Sequence, residues 1–345
     1  MSPMTYTIII SSLTTGTIIT MTSHHWLLAW VGLEINTLAI IPTISMQHHP
    51  RSTEAATKYF LTQAAASAMI LFASTTNAWH TGTWDITQMT TPHSNILLTM
   101  ALSMKLGLAP VHFWLPEVLQ GSTLTTALII TTWQKLAPMS LIYLTMNNLF
   151  PVILLTLGLL SSMVGGWAGL NQTQTRKIMA YSSIAHLGWM AAVSSIMTNI
   201  LTLNLLIYLT MTTALFYSLV LSKIKTIQDT TTSWTTSPML TTIMMLTLLS
   251  LGGLPPLTGF MPKWLILEEL MMQNLVPLAF AMTMASLLSL FFYLRLSYTT
   301  ALTLSPNTTQ TKHKWRFKPS TTMLPLTIMT PTTLLLLPMT PLIIY

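Results

Sequence analysis

Stretches of about twenty apolar residues, separated by short polar breaks, follow one another along nearly all of this 345-residue chain. A bilayer core about 30 Å thick takes about 20 helical residues to cross, and only helices or closed barrels satisfy their own backbone groups there. The pattern therefore commits the chain to a bundle of helices. Charged residues make up 6% of the chain, far short of the roughly 25% usual in soluble domains. The sequence reads as an all-α polytopic membrane protein with about eleven transmembrane helices, placed near 3–22, 26–46, 59–79, 95–116, 122–145, 151–170, 178–196, 201–222, 238–270 (interrupted), 276–296 and 323–344. The first 22 residues lack a basic leader and any Arg, so they read as a retained span and not as a cleaved signal. Abundant Thr suits such spans, because its hydroxyl bonds a carbonyl one turn back.

The charges test this division. Arg51, Lys58, Arg176, Lys177, Lys223, Lys225, Lys312, Lys314, Arg316 and Lys318 all fall on one set of alternate loops, and the other set has no Lys or Arg. The positive-inside rule places the basic set, and Met1, on the side of synthesis and Tyr345 on the opposite side. Arg295 lies near the basic end of its span and can snorkel. Of the fourteen Lys and Arg, this leaves Lys105, Lys135 and Lys263, all in mid-span. A lysine at a helix centre costs roughly 2.5–3.5 kcal/mol on insertion scales and marks a functional site with a partner. The nearest partner is Glu34, also in mid-span.

Two of the lysines sit beside breaks. The fourth span carries Lys105-Leu106-Gly107-Leu108-Ala109-Pro110, and the ninth carries Gly252-Gly253-Leu254-Pro255-Pro256 and continues to Lys263. Spans 1–5 and 6–10 form two blocks. Because five is odd, the second block enters the membrane from the opposite face, which makes two inverted five-helix repeats, with broken helices near Pro110 and Pro255. The expected organisation is a first repeat at 1–148, a second at 149–298, a basic loop at 299–322 and a C-terminal span at 323–345. Corresponding broken spans in two halves point to a transport path, whereas a lone proline such as Pro138 more simply kinks a helix.

Further relay candidates are His112 and His186. In a continuous helix His112 would lie on the face of Lys105 and link it to Glu117 on the basic side, although the break blurs the phase; its plainer role is to bond a carbonyl freed by Pro110. His186 is one turn from Ser182, and histidine titrates near neutrality. Thr131, Thr132 and Lys135 share a face on which a water chain could be ordered. Glu268 and Glu269 follow Lys263 toward the acidic-side surface, where at least one should face solvent. The pairs His24-His25 and His48-His49 do not converge on one helix face and have no acid or thiol beside them, so no metal site is expected. The sequon-like triplets at Asn171 and Asn307 fall on the basic side and carry little weight. With no cysteine, the chain forms no disulfide and holds no iron–sulfur cluster by itself. There is no phosphate loop, dinucleotide fingerprint or nucleophile elbow, and the net charge of +7 comes without the basic, aromatic-interleaved helix of a nucleic-acid binder. No cofactor bound by the chain alone and no nucleic-acid partner are expected.

The strings Leu33-Glu34-Ile35-Asn36, Lys105 to Val118, Ser182 to Gly188 and Gly253 to Phe260 resemble the antiporter-like membrane subunits of respiratory complex I, in order and over nearly the whole chain. The resemblance implies a core subunit of the membrane arm that takes part in proton translocation while NADH oxidation and ubiquinone reduction proceed in other subunits. On it, Glu34 and Lys105 are the carboxylate–lysine pair of the first half, Lys135 the linking lysine and Lys263 the end of the second half-path. It implies NAD, FMN, iron–sulfur clusters and ubiquinone in the whole complex, other membrane-arm and accessory subunits and lipid as partners, and the mitochondrial inner membrane, with the basic loops and N-terminus in the matrix and the C-terminus in the intermembrane space. Family members usually have fourteen helices, so three N-terminal ones are expected to be missing, leaving a groove for a neighbouring subunit or lipid. A free-standing cation/proton antiporter and a purely structural scaffold are the rival classes.

Overall fold

Several helices begin at a side-chain cap or a proline, and those that reach Gly82, Gly107 and Gly253 end at a left-handed glycine. In the computed structural model, which describes residues 2–235, 237–302 and 324–339, helices account for most of the chain and no strand occurs among the described residues. Contacts divide the chain into two compact units, Met1–Ser161 with Ala191–Thr198, and Ser162–Met190 with Asn199–Tyr345.

In the first unit α1 (Pro3–Thr22) starts on Ser2, whose hydroxyl accepts from Thr5 N. The imidazole of His25 caps α2 (Trp26–Ile44) by accepting from Leu27 N at 3.2 Å, and His49 caps α3 (Pro50–Thr81) by accepting from Arg51 N at 3.2 Å. One member of each histidine pair thus satisfies an amide that a helix start leaves unpaired. With 32 residues α3 is about 48 Å long, longer than the bilayer core, so its first turns, with Arg51, Glu54 and Lys58, extend past the apolar region. Helix α4 (Pro92–Leu106) leads to the first break, then α5 (Trp114–Gly121), α6 (Leu124–Thr131) and α7 (Leu136–Thr145) follow.

The fifth span, expected to be one helix, is interrupted. A single 3-10 turn, Trp133–Lys135, separates α6 from α7. Pro138 has no amide for the carbonyl of Gln134, four residues back, so the helix restarts beyond it and Pro138 falls in the first turn of α7. Thr131 and Thr132 lie at the end of α6 and Lys135 in the turn that follows, all three buried. Thr131 donates to Ala127 O at 2.9 Å and Thr132 to Leu128 O at 2.6 Å, so both hydroxyl protons are spent inside α6. Residues 107–113 are not helical, so the stacking of His112 over Lys105 expected from a continuous helix does not form.

Helix α8 (Pro151–Gly169) and α9 (Thr175–Ser194) are followed by α10 (Thr198–Ser222), the short α11 (Ile227–Thr231), α12 (Pro238–Gly252), α13 (Phe260–Met272), α14 (Val276–Ala301) and α15 (Leu324–Leu335). Glycines on α8 bring two neighbours close within the second unit. A Cβ on Gly165 would stand 2.7 Å from Ala185 N of α9, and one on Gly166 would stand 2.9 Å from Leu288 Cβ of α14. By length and composition α1, α2, α8, α10 and α14 are long and apolar enough to cross a membrane, and α12 and α15 are shorter apolar helices. The basic loop with Lys312, Lys314, Arg316 and Lys318, the triplet at Asn307 and residues 340–345 of the last span lie outside the described residues.

Both broken spans use the same turn. Helix α4 ends at Gly107 (φ 81, ψ 39) and α12 at Gly253 (φ 79, ψ 41), a left-handed conformation that glycine alone adopts without penalty. Gly107 N donates to Ser103 O and Gly253 N to Ser250 O, each at 2.9 Å. A Cβ on Gly253 would also meet Lys263 Nζ at 2.9 Å, whereas Gly82, likewise left-handed (φ 75), has nothing within 4 Å. Gly82→Ala is expected to cost only the backbone strain, about 1–2 kcal/mol, and Gly253→Ala more than that; thermal unfolding of the purified assembly would order the two.

Candidate functional site

A broken helix in a membrane leaves carbonyls without amide partners, and each must find a donor or a wet cavity. At the first break Trp114 Nε1 donates to Met104 O at 3.1 Å, and Gln63 Nε2 reaches Lys105 O at 3.5 Å. The second break uses the lysine itself: Lys263, half-buried, donates from Nζ to Gly252 O at 2.9 Å. The two lysines therefore flank their breaks differently. Lys105 precedes Gly107 on α4, and Lys263 follows Gly253 on α13. In the register set by these glycines, Lys263 falls on Glu117 and Lys105 on Leu251.

In the first unit Lys105 and Lys135 are both about 5% exposed and line one cavity between α2, α3, α4 and the 3-10 turn. Its free volume, about 10 Å³ for water centres, is close to the least that holds one water. Lys105 Nζ makes no hydrogen bond among the described residues. Glu34, half-buried on α2, acts on it electrostatically, and the Glu34 carboxylate accepts from Thr37 at 3.0 Å and from Ser67. Around them Gln134 Nε2 donates to Asn36 O at 3.2 Å and Asn36 Oδ1 at 3.3 Å, and Tyr59 Oη donates to Gln134 Oε1 at 3.5 Å. Glu34, Lys105 and Lys135 thus belong to one polar nest, and Tyr59, Gln63 and Gln134 are members that the sequence reading did not single out. Each is one polar residue on a mostly apolar span, a weak signal without the fold.

His112 is buried in the break with its ring against Phe113, centroids 4.4 Å apart, and its Nδ1 has no hydrogen-bond partner among the described residues. Glu117 is exposed on α5 and forms an ion pair with Lys58, which also pairs with Glu54. Hydrogen bonds to Glu117 and then Glu54 raise the Lys58 pKa, and Lys58 in turn lowers that of Glu54.

In the second unit His186, on α9, meets two tyrosines. Tyr293 Oη of α14 and His186 Nε2 hydrogen-bond at 3.3 Å, and the Tyr208 ring of α10 lies 5.6 Å from the imidazole, centroid to centroid. Ser182 donates to Met179 O and Ser183 to Ala180 O, each at 2.8 Å. Ser182, Ser183, Tyr208 and Tyr293 are all about 1% exposed. The two tyrosines were not legible as partners of His186, because they come from other helices. Glu268 is exposed and Glu269 half-buried. Groups of three or more metal-ligating side chains do not occur among the described residues.

Paired broken helices, each with a lysine beside its break, define a channel-like or transporter-like membrane protein. The family model for the NADH:quinone oxidoreductase/Mrp antiporter transmembrane region matches residues 23–289, and that for the NADH dehydrogenase subunit 2 C-terminus matches 290–344; the chain belongs to the NADH:quinone oxidoreductase/Mrp antiporter family. It is 56% identical to the NADH-ubiquinone oxidoreductase chain 2 of Carassius auratus, covering 100% of this chain and 99% of that one. It is 55% identical to the chain of the same name from Latimeria chalumnae, over 99% and 98%. A chain of respiratory complex I from Thermus thermophilus superposes with TM-score 0.84 at 26% identity, covering 98% of this chain and 80% of that one. A chain of the Mrp complex from Dietzia shares the fold, with TM-score 0.83 at 15% identity over 97% and 75%.

The ion pair Lys58–Glu117 joins α3 to α5 and carries a pH signature. The raised Lys58 pKa makes the tether hold until alkaline pH passes above the ordinary lysine range. Hydrogen-exchange protection of α5 amides, corrected for intrinsic rates, is expected to stay flat from neutral pH up to that limit and to fall beyond it.

Proposed function

We propose that the chain is a membrane-arm subunit of respiratory complex I, working in the mitochondrial inner membrane beside other membrane-arm subunits and contributing to proton translocation. The family membership and the near-full-length likeness to chain 2 of NADH-ubiquinone oxidoreductases support this. The observation that supports the proton role is the cavity lined by Lys105 and Lys135, with Glu34 beside it, bonded to the lining residue Thr37 and acting electrostatically on Lys105.

In this reading about eleven spans cross the membrane, spans 1–5 (1–148) and 6–10 (149–298) are inverted repeats, and the basic loops face the matrix. The near-identical turns at Gly107 and Gly253 support the repeat. NADH, FMN, iron–sulfur clusters and ubiquinone belong to the complex, and this chain's part is to hold and move protons. Burial disfavours an ammonium charge, and a neighbouring carboxylate favours it. A shift of Glu34 toward or away from Lys105 therefore tunes whether Lys105 keeps its proton, and Lys135 answers across the shared cavity. In the second half His186 relays toward Lys263, whose Nζ bonds to the Gly252 carbonyl while it is protonated. His112 would connect Lys105 to the surface at Glu117.

The test is Lys105→Met in the assembled complex, reconstituted in vesicles. The proton-to-electron ratio is expected to fall by the whole share of this subunit while the complex still assembles. An unchanged ratio would overturn the relay and leave a scaffold. Co-purification of the chain with rotenone-sensitive NADH:quinone reductase activity checks the assembly itself; a small, colourless particle without that activity would favour a free-standing antiporter.

A further inference from the structure

Gln134 stands where three elements of the first unit meet, and its amide has only one way round. It belongs to the 3-10 turn Trp133–Lys135, immediately before Lys135. Its Nε2 lies 3.2 Å from Asn36 O and 3.3 Å from Asn36 Oδ1 on α2, and its Oε1 lies 3.5 Å from Tyr59 Oη on α3. A backbone carbonyl only accepts, so the atom facing Asn36 O is the amino nitrogen, and a donated bond ties the turn to α2. The tie falls where the helical ladder is interrupted. Pro138 offers no amide to the Gln134 carbonyl, and the turn is closed by Lys135 N donating to Thr132 O at 3.3 Å. Asn36 is two residues from Glu34, and Asn36 and Gln134 line the cavity together with Lys105 and Lys135.

We propose that Gln134 is a positioning residue of the relay, a clasp that fixes the turn carrying Lys135 against the helix carrying Glu34. The inference rests on the relay reading of Glu34, Lys105 and Lys135 given above, and it adds what keeps the parts of that nest at their spacing. Spacing decides the chemistry here, because a proton passes only between groups in hydrogen-bond reach or joined by a water, and the cavity has room for about one water. Gln134 neither gains nor loses a proton itself, so it acts through the place it gives Lys135. The titratable groups around it are Glu34 of α2, Tyr59 of α3, Lys105 of α4 and Lys135 of the turn.

The experiment compares Gln134→Met, Gln134→Glu and Lys105→Met in the reconstituted complex. The proton-to-electron ratio is read across pH, normalised to assembled complex and to the unaltered complex at the same pH. Gln134→Met keeps the length of the side chain and removes the donor, and its ratio is expected to fall at every pH by most of the loss seen in Lys105→Met. In Gln134→Glu the carboxyl can donate to the Asn36 carbonyl only while it holds a proton. Its ratio is therefore expected to approach that of the unaltered complex as pH is lowered and to match Gln134→Met as pH rises. A side chain that only fills space would give both Gln134 variants one pH-independent value, and that result overturns the clasp. An unchanged ratio in Gln134→Met, with Lys105→Met lowering it, overturns the clasp and keeps the relay; an unchanged ratio in Lys105→Met overturns the relay itself. Should Gln134→Met fail to assemble, Gln134→Glu decides: recovery in acid supports the donated bond, and a flat, lowered ratio overturns it.

Discussion

Every backbone carbonyl released at membrane depth has to be met by a donor, and much of what is distinctive in this chain follows from that requirement. A continuous helix satisfies itself and needs no chemistry from its side chains. Breaking α4 at Gly107 and α12 at Gly253 creates local demand, and the chain answers with Trp114, Gln63 and Lys263. Polar side chains that would otherwise be costly in lipid are thereby given a structural task beside the lysines. The breaks are what make buried polar chemistry sustainable here.

The same requirement separates the two broken spans. Lys105 lies before its glycine, with its ammonium turned toward a small cavity and the field of Glu34. Lys263 lies after its glycine, with its ammonium bonded to the helix end it follows. The Lys105 ammonium has no backbone partner among the described residues, whereas the Lys263 Nζ is held against the Gly252 carbonyl. Similar turns have thus been fitted with different electrostatics, a carboxylate partner in one and a carbonyl partner in the other.

The helical class, the two breaks and the isolated lysines were legible in the sequence, because apolar periodicity and the rarity of charge are local signals. Glu34 was legible for the same reason. What could not be read is whatever depends on meeting a residue from another helix: Gln134 with Asn36, or Tyr293 and Tyr208 with His186. The 3-10 turn at Lys135 was missed because Pro138 reads equally as a kink or as a fresh helix start. His25 and His49 are helix caps, a use their doubled spacing does not announce.

The back-bonded hydroxyls bear on a different matter, the leak. A helix bundle this rich in threonine and serine is lined with groups that, if free to rotate, would pass protons from one to the next across the membrane. In α1, Thr14, Thr17 and Thr20 each donate to a carbonyl three residues back, and the same habit recurs along α10 and α14. A hydroxyl whose proton is committed to its own helix must break that bond before it can hand a proton on. The polar spans are therefore insulated by their own backbone, and in the proposed relay a proton would have to pass by titratable groups instead.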